Sequence, residues 1–156
     1  MILVTGATGL NGSELIHILS ARGVPVRALV RNATKAEKLA SLPLVEVVMG
    51  DMAHPETLSE ALRGVDRAML ISSSDPAMLE VQSNFIEEAR KAGVKHVVKL
   101  SGIIPDLASP FRFARMHGEI EQQLASAALE DAIHRRRSAQ CADPCWRRAP
   151  ARAPSR

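Results

Sequence analysis

Hydrophobic positions in the first 128 residues alternate between short β-branched runs and longer stretches with helical spacing. The short runs predict strands at residues 2–5, 25–30, 45–49, 67–72 and 96–101. The helical spacing predicts helices near residues 11–22, 34–41, 55–63, 76–92 and 112–128. The strands are apolar without strict alternation, which is typical of strands covered by helices on both faces. Five successive strand–helix units therefore predict an α/β fold with three αβα layers and a doubly wound parallel sheet in the order 3-2-1-4-5.

This pattern stops near residue 129, and the composition changes there. Residues 1–131 hold 13 basic and 16 acidic side chains, whereas residues 132–156 hold seven arginines and one acid. The formal net charge of +3 and the sequence pI near 9.2 therefore come from the end of the chain. We expect residues 1–129 to form one domain and residues 130–156 to form a basic Arg/Ala/Pro-rich tail, either disordered or aberrant.

The arginines of the basic tail could form an arm that binds nucleic acid, because arginines can neutralise phosphates. However, it contains no lysine, and Trp146 is its only aromatic residue for base stacking. Cys141 and Cys145 lack the second cysteine pair of a typical zinc site. The tail therefore predicts neither specific nucleic-acid binding nor a metal site.

The remaining composition bears on location. The opening residues carry no basic segment of a secretory signal, and no stretch approaches the roughly 18 apolar residues of a membrane span. Both cysteines lie in the tail, which favours a reducing compartment. We expect a soluble cytoplasmic protein that does not bind membranes.

A glycine-rich loop joins the first strand to the first helix in "LVTGATGLNGSEL". Gly6, Gly9 and Gly12 would allow a tight turn, close backbone approach to a pyrophosphate, and close packing of helix on strand. The N–H groups at the helix start would then face the phosphates. The loop therefore predicts a Rossmann dinucleotide site, and the alternative is a plain tight turn in an α/β domain.

Arg31, at the end of the second strand, bears on which dinucleotide is bound. Domains that prefer NAD carry an acidic residue there for the ribose 2′-hydroxyl, whereas a guanidinium fits a 2′-phosphate. Lys35 would add to the positive field. We expect NADP(H) to be preferred, with NAD(H) as the alternative cofactor; Arg31 could instead be a solvated residue at a strand end.

Several motifs together resemble the NmrA-like branch of the atypical short-chain dehydrogenase/reductases over residues 1–129. They are "TGATGLNG", "LVRN", "VVMGDM", "VKHVVKLSG" and "FARMHGEIEQQL". Members of that family bind NADP(H) or NAD(H) and include quinone reductases, ether reductases and non-catalytic redox sensors. The residues matched to cofactor binding are Gly6, Thr8, Gly9, Leu10, Asn11, Gly12, Arg31, Asp51, Met52, Ser72 and Ser73.

The resemblance also implies roles for the later positions in this set. It places Asp51 and Met52 at the adenine, and Ser72 and Ser73 at the far phosphate and ribose. Asp51 could equally be a cap or turn residue ahead of "HPETL".

Candidate catalytic residues depart from the usual pattern of short-chain dehydrogenases. Those enzymes use a Tyr-x-x-x-Lys pair, but this chain has no tyrosine and reads His117-Gly-Glu-Ile-Glu121 on the corresponding helix. Ordinary alcohol dehydrogenase or epimerase chemistry is therefore not expected. By resemblance to quinone reductases, His117 is a candidate proton donor near neutral pH; the alternative is a packed or surface histidine.

Ser101, at the end of the fifth strand, lies near the position of the family's active-site serine; it could instead cap the following loop. Lys99 is assigned no role, because its orientation relative to Ser101 depends on whether the strand stays regular to its end.

The family continues after the fifth helix with an apolar strand and a smaller substrate domain, whereas "EDAIHRRRSAQ" predicts no comparable strand. We hypothesise that the chain from about residue 130 is frameshifted or otherwise aberrant, which would leave the fifth strand at a sheet edge and the nicotinamide in water.

Two function classes follow from the sequence: an NADPH-dependent oxidoreductase acting on quinone-like or other small carbonyl substrates, or a non-catalytic redox sensor with a regulatory partner. Homo-oligomerisation is left open.

Overall fold

A single parallel sheet of six strands forms the centre of the computed structural model, which describes residues 1–102, 104–127 and 130–135, the last range as backbone alone. The strand order is β3-β2-β1-β4-β5-β6, and every neighbouring pair is parallel. The strands are β1 Ile2–Val4, β2 Val26–Val30, β3 Val45–Met49, β4 Arg67–Leu70, β5 His96–Ser101 and β6 Glu130–Arg135. The predicted order 3-2-1-4-5 is therefore confirmed for the first five strands.

Five α-helices connect the strands. They are α1 Leu10–Ala21, α2 Glu37–Ala40, α3 Leu58–Leu62, α4 Met78–Lys91 and α5 Arg112–Ser126. The helices α2 and α3 are shorter than the sequence predicts, because 3₁₀ turns at Thr34–Ala36 and Pro55–Thr57 occupy their first residues. Pro55 has no backbone N–H and a fixed φ, which suits the first position of such a turn.

The prediction that no strand follows the fifth helix was wrong. β6 pairs with β5 along its whole length, from His96 opposite Glu130 to Ser101 opposite Arg135. The physical reason is that an open strand edge offers unpaired N–H and C=O groups, and a neighbouring backbone can satisfy them whatever its side chains. β5 is thus an interior strand, and the described sheet continues past the expected domain end at residue 129.

The hypotheses about the rest of the basic tail concern residues 136–156, including Cys141, Cys145 and Trp146. These positions lie outside the described residues.

Apolar side chains fill both faces of the sheet. On one face, a cluster that includes Phe85, Ile86, Met116, Ile120 and Leu124 packs beneath α3, α4 and α5. On the other face, a second cluster that includes Ile16, Val26, Val30 and Leu39 packs beneath α1 and α2. The predicted three-layer arrangement is confirmed. Among the helices of the described residues, none is long and apolar enough to cross a membrane.

The carboxyl ends of the strands meet at one edge of the sheet, where β1 and β4 lie side by side. Chain connections leave these two strands towards opposite faces, which opens a crevice between them. Thr5 closes the base of this crevice: its hydroxyl donates to the Ile71 carbonyl at 2.7 Å, and the Ile71 N–H donates back to Thr5 Oγ1 at 2.8 Å. Both groups are buried, so this pair fixes β1 against β4 immediately below the site.

Candidate functional site

A cleft of about 240 Å³ lies over the carboxyl ends of β1 to β4. Seven of the residues predicted to bind a cofactor line it: Gly6, Thr8, Arg31, Asp51, Met52, Ser72 and Ser73. They come from four separate loops and meet because the strands are parallel. Gly9, Leu10, Asn11 and Gly12 are not part of the cleft lining; they lie at the start of α1, which follows directly from the loop that lines it.

Two glycines in the loop between β1 and α1 are required by close backbone contacts. Gly6 has φ of +59°, and a Cβ there would lie 2.9 Å from the Ile71 carbonyl oxygen. A Cβ on Gly12 would lie 2.3 Å from the Gly6 carbonyl oxygen, so a larger residue would push α1 off the loop. These contacts explain why glycine stands at both positions, where the loop packs closely against β4 and α1.

The start of α1 suits an anionic group. No side chain caps this end, and its first turn contains no acidic residue. The N–H groups of a helix's first turn lack intrahelical partners and carry a partial positive charge. The glycine loop and α1 would thus hold the pyrophosphate of a dinucleotide, which fits the residues present.

Arg31 directly follows β2 and is an exposed residue in the cleft lining. Its guanidinium is the charged group at the position where domains that prefer NAD carry a carboxylate. The structure therefore brings Arg31 to the same cleft as the glycine loop, as the sequence predicts.

Asp51 makes a turn interaction, and its predicted place at the adenine stays a prediction. Its side-chain Oδ1 accepts the Ala53 N–H at 3.0 Å, which is a turn interaction, and the residue also lines the cleft. Its own N–H donates to Thr57 Oγ1 at 2.9 Å. The carbonyl of the adjacent Met52 accepts the side-chain amide of Asn84 at 3.0 Å, which ties this wall of the cleft to α4.

Ser72 and Ser73 form the wall that follows β4. Ser72 Oγ accepts the Gln82 side-chain amide at 2.7 Å, and the Ser73 hydroxyl donates to the Asp75 carboxylate. Thr5, Gly50, Asp75 and Val81 also line the cleft and were not predicted. Thr5 and Gly50 adjoin predicted residues in sequence, so the strand ends alone would have indicated them.

A second site lies beside α5, where four polar side chains from β5 and α5 meet. Lys99 Nζ lies 2.7 Å from His117 Nδ1 and 3.2 Å from Ser101 Oγ. The Ser101 hydroxyl donates to Glu121 Oε1 at 2.5 Å and lies 3.5 Å from His117 Nδ1. Lys99, Ser101 and Glu121 are buried and His117 is half-buried. We call these four residues the Lys99 cluster.

Burial governs the acid–base properties of the Lys99 cluster. Desolvation lowers the pKa of Lys99 to about 8, against the opposing attraction of Glu121. Desolvation, reinforced by the Lys99 charge, lowers the pKa of His117 to about 4, again with Glu121 opposing. The imidazolium form is therefore scarce at neutral pH, and the expectation that His117 is a proton donor near neutral pH stays a prediction.

Lys99 was the functional candidate that the sequence reasoning left unassigned. Val97, Lys99 and Ser101 are all buried, because residues two apart in a strand share a face. That two-residue spacing was the available signal, and β5 is regular to its end. Ser101 does not act as a simple loop cap, since its hydroxyl is held by Glu121 of α5.

Comparison with known proteins agrees with this geometry. Residues 6–140 match the NAD(P)H-binding family. The chain is 38% identical over 129 residues to the NAD(P)H azoreductase of Xenophilus azovorans, which covers 83% of this chain and 45% of that protein.

The solved structures similar to the chain include two that hold NADPH or NADP(H). The NADPH-dependent quinone oxidoreductase of Escherichia coli complexed with NADPH matches with a TM-score of 0.75 and 34% identity, over 85% of this chain and 47% of that one. The triphenylmethane reductase of Citrobacter sp. complexed with NADP(H) matches with a TM-score of 0.77 and 32% identity, over 85% and 48%. The chain thus spans about half the length of these relatives. It belongs to the NAD(P)H-binding family, as its resemblance to the NmrA-like atypical short-chain dehydrogenase/reductases predicted.

Proposed function

We propose that this chain is the NADPH-binding Rossmann domain of an NADPH-dependent oxidoreductase that reduces quinone-like or other small carbonyl substrates. The observation that carries the proposal is the position of Arg31 in the cleft beside the glycine loop. A nicotinamide cofactor supplies a hydride when bound. The residues of this chain bind and orient it.

The preference for NADPH follows from charge. A 2′-phosphate would form charge-assisted hydrogen bonds with the Arg31 guanidinium, each contributing about 1.5–3 kcal/mol. The ribose hydroxyl of NADH offers no negative charge to the same group. The loop that follows β2 therefore discriminates between the two cofactors.

The reductive activity is supported by two further observations. The similar proteins include one named an azoreductase and one named a quinone oxidoreductase. In addition, the Lys99 cluster places two nitrogen proton carriers next to each other on the edge of the sheet that holds the cleft. A non-catalytic redox sensor would need the cleft and would not need this cluster.

Cofactor preference is tested by fluorescence titration of the chain with NADPH and with NADH. We expect Arg31→Ala to weaken NADPH binding about 10- to 150-fold, the loss of one charge-assisted bond, and to change NADH binding little. Arg22→Ala is the matched control, since Arg22 is an exposed arginine at the far end of α1. Equal or tighter binding of NADH by the unmodified chain would overturn the preference.

Measurement of NADPH turnover distinguishes the proposed oxidoreductase from a non-catalytic redox sensor. NADPH consumption is measured with a panel of quinones and small carbonyl compounds. Oxidation of NADPH that requires the added acceptor supports the proposed activity. Tight NADPH binding without consumption for any acceptor favours the sensor.

A further inference from the structure

Hydrogen-bond directions in the Lys99 cluster are fixed by what each group can donate. A lysine ammonium has three N–H donors and no lone pair, so it donates in every contact it makes. Lys99 Nζ lies 2.7 Å from His117 Nδ1, and this nitrogen must therefore be the acceptor. An imidazole nitrogen that accepts a hydrogen bond carries no proton.

Ser101 does not compete for this role. Its oxygen accepts from Lys99 at 3.2 Å, and its single proton goes to Glu121 Oε1 at 2.5 Å. The longer 3.5 Å contact between Ser101 Oγ and His117 Nδ1 is left without a donor hydrogen. Lys99 is thus the donor to Nδ1.

This arrangement also excludes a hydrolase-type relay among the same residue types. In a Ser–His–acid triad the carboxylate orients the imidazole and the imidazole takes the serine proton. Here the carboxylate of Glu121 holds the serine instead, and a lysine occupies the imidazole. Ser101 is therefore a connecting residue and is not an activated nucleophile.

We propose that Lys99 is a positioning residue that holds His117 as a neutral imidazole with its proton on Nε2, so that His117 presents an N–H donor. Within the described part of the chain, Nε2 has no hydrogen-bond partner. Gly102 lets the ring pack against the backbone, since a Cβ there would lie 2.7 Å from His117 Cδ2 and 3.3 Å from Nε2. An N–H donor on this half-buried ring suits an oxygen that gains negative charge.

The use of this donor rests on the proposed reductive function. A quinone or carbonyl that has gained a hydride is an anion and needs one proton. The Nε2 proton passes to that oxygen while a proton passes from Lys99 Nζ to Nδ1, so the imidazole is neutral before and after. The starting state returns when solvent supplies a proton to Nε2 of the half-buried imidazole and the Nδ1 proton passes back to the buried Lys99 amine.

The tautomer is tested by ¹⁵N–¹H correlation spectra of the histidine side chains, recorded on the full chain at pH 7 without cofactor. For His117 we expect an unprotonated Nδ1 and a protonated Nε2. His17 is the internal control, because its Nδ1 lies 2.7 Å from the Ser13 carbonyl, which can only accept. His17 should therefore show the opposite tautomer in the same spectrum.

Variants at Lys99 test whether this residue sets the tautomer of His117. Lys99→Met keeps the buried alkyl chain and removes the donor, so the single-tautomer spectrum should be lost. His117 should titrate at higher pH, because the Lys99 charge that lowers its pKa is removed. Among the side chains that the structure describes, the charged groups that act on His117 are Lys99 from β5 and Glu121 from α5. Lys99→Arg, which keeps a donor, should restore the Nε2-protonated form.

Two results would overturn the proposal: a proton on Nδ1 in the unmodified chain, or an unchanged His117 spectrum in folded Lys99→Met. If that variant does not fold, the unmodified spectrum still decides. Because the spectra need no cofactor, failure of NADPH to bind would refute the proposed function and leave the tautomer assignment standing.

Discussion

His117 is a half-buried histidine whose surroundings disfavour its charged form. Removal from water and the Lys99 ammonium both act in this direction, and Glu121 opposes them. The folded protein therefore keeps the imidazole neutral at a pH where an unfolded chain binds a proton. This difference links one residue to the stability of the whole domain.

The pH dependence of unfolding has a definite sign. With a folded pKa of about 4 and an ordinary value of 6.5, the unfolded chain binds more protons than the folded chain between these limits. The contribution of His117 is fully present above pH 6.5 and is lost as the pH falls towards 4. We expect the urea midpoint to fall from pH 7 to pH 5, and to fall less in His117→Gln.

The exposed residue His54 provides the matched control for this measurement, as His54→Gln. A slope in His54→Gln as flat as that in His117→Gln would contradict the assignment to His117. The two variants are compared with the unmodified chain in the same buffers.

Some residues of the two sites could be predicted from the sequence and others could not. Gly6 and Gly12 were predicted because their spacing is typical of a tight loop between a strand and a closely packed helix. Arg31 was predicted because the end of the second strand lies beside that loop in a doubly wound sheet. Lys99 was missed because strand periodicity says which face a side chain takes and does not say what packs there. Its partner His117 is 18 residues away along the chain.

At the scale of elements, α4 is the central support of one face of the sheet. Its Phe85 is fully buried within the apolar cluster beneath α3, α4 and α5. The adjacent residues Gln82 and Ser83 tie α4 to Ser72 in the cleft and to Gln123 on α5, at 2.7 and 2.6 Å. The helix thus contacts both a residue of the cleft and the helix that carries His117 and Glu121.

Truncation of the Phe85 side chain should be costly for this reason. Phe85→Ala removes a buried ring and leaves a cavity, and we expect a loss of about 3–5 kcal/mol in the free energy of unfolding. Phe111→Ala is the matched control, because Phe111 is 75% exposed and should lose much less. Urea unfolding followed by circular dichroism measures both. Similar losses in the two variants would refute the placement of Phe85 in the core.

The strand β6 differs from the prediction, because backbone pairing with β5 does not depend on an apolar composition. The first five strands were predicted because buried parallel strands need continuous apolar runs. The segment Glu130–Arg135 has no such run, yet it pairs with all six residues of β5. The hydrophobic pattern of a sequence reports which side chains are buried. An open sheet edge can also bind a segment through its backbone N–H and C=O groups, which the pattern does not report.

At the scale of the whole molecule, cofactor binding should stabilise the fold, since the cleft requires four strands to be in place. A ligand at 100 times its Kd adds about 2.7 kcal/mol, or roughly 5–10 °C in Tm for a chain of this size. We expect NADPH to raise Tm by this amount in differential scanning calorimetry. At the same NADPH concentration Arg31→Ala should show a smaller rise and Arg22→Ala the full one; equal rises in both variants would count against the Arg31 contact.

The cleft and the Lys99 cluster share no residue, although both lie at the carboxyl ends of the strands. The first is built from the loops after β1 to β4, and the second from β5 and α5. Under the proposed function, coenzyme affinity and proton delivery can therefore be altered separately by mutation. Substitutions on α5 would then let descendants of such a reductase change the compounds they reduce while keeping the same coenzyme.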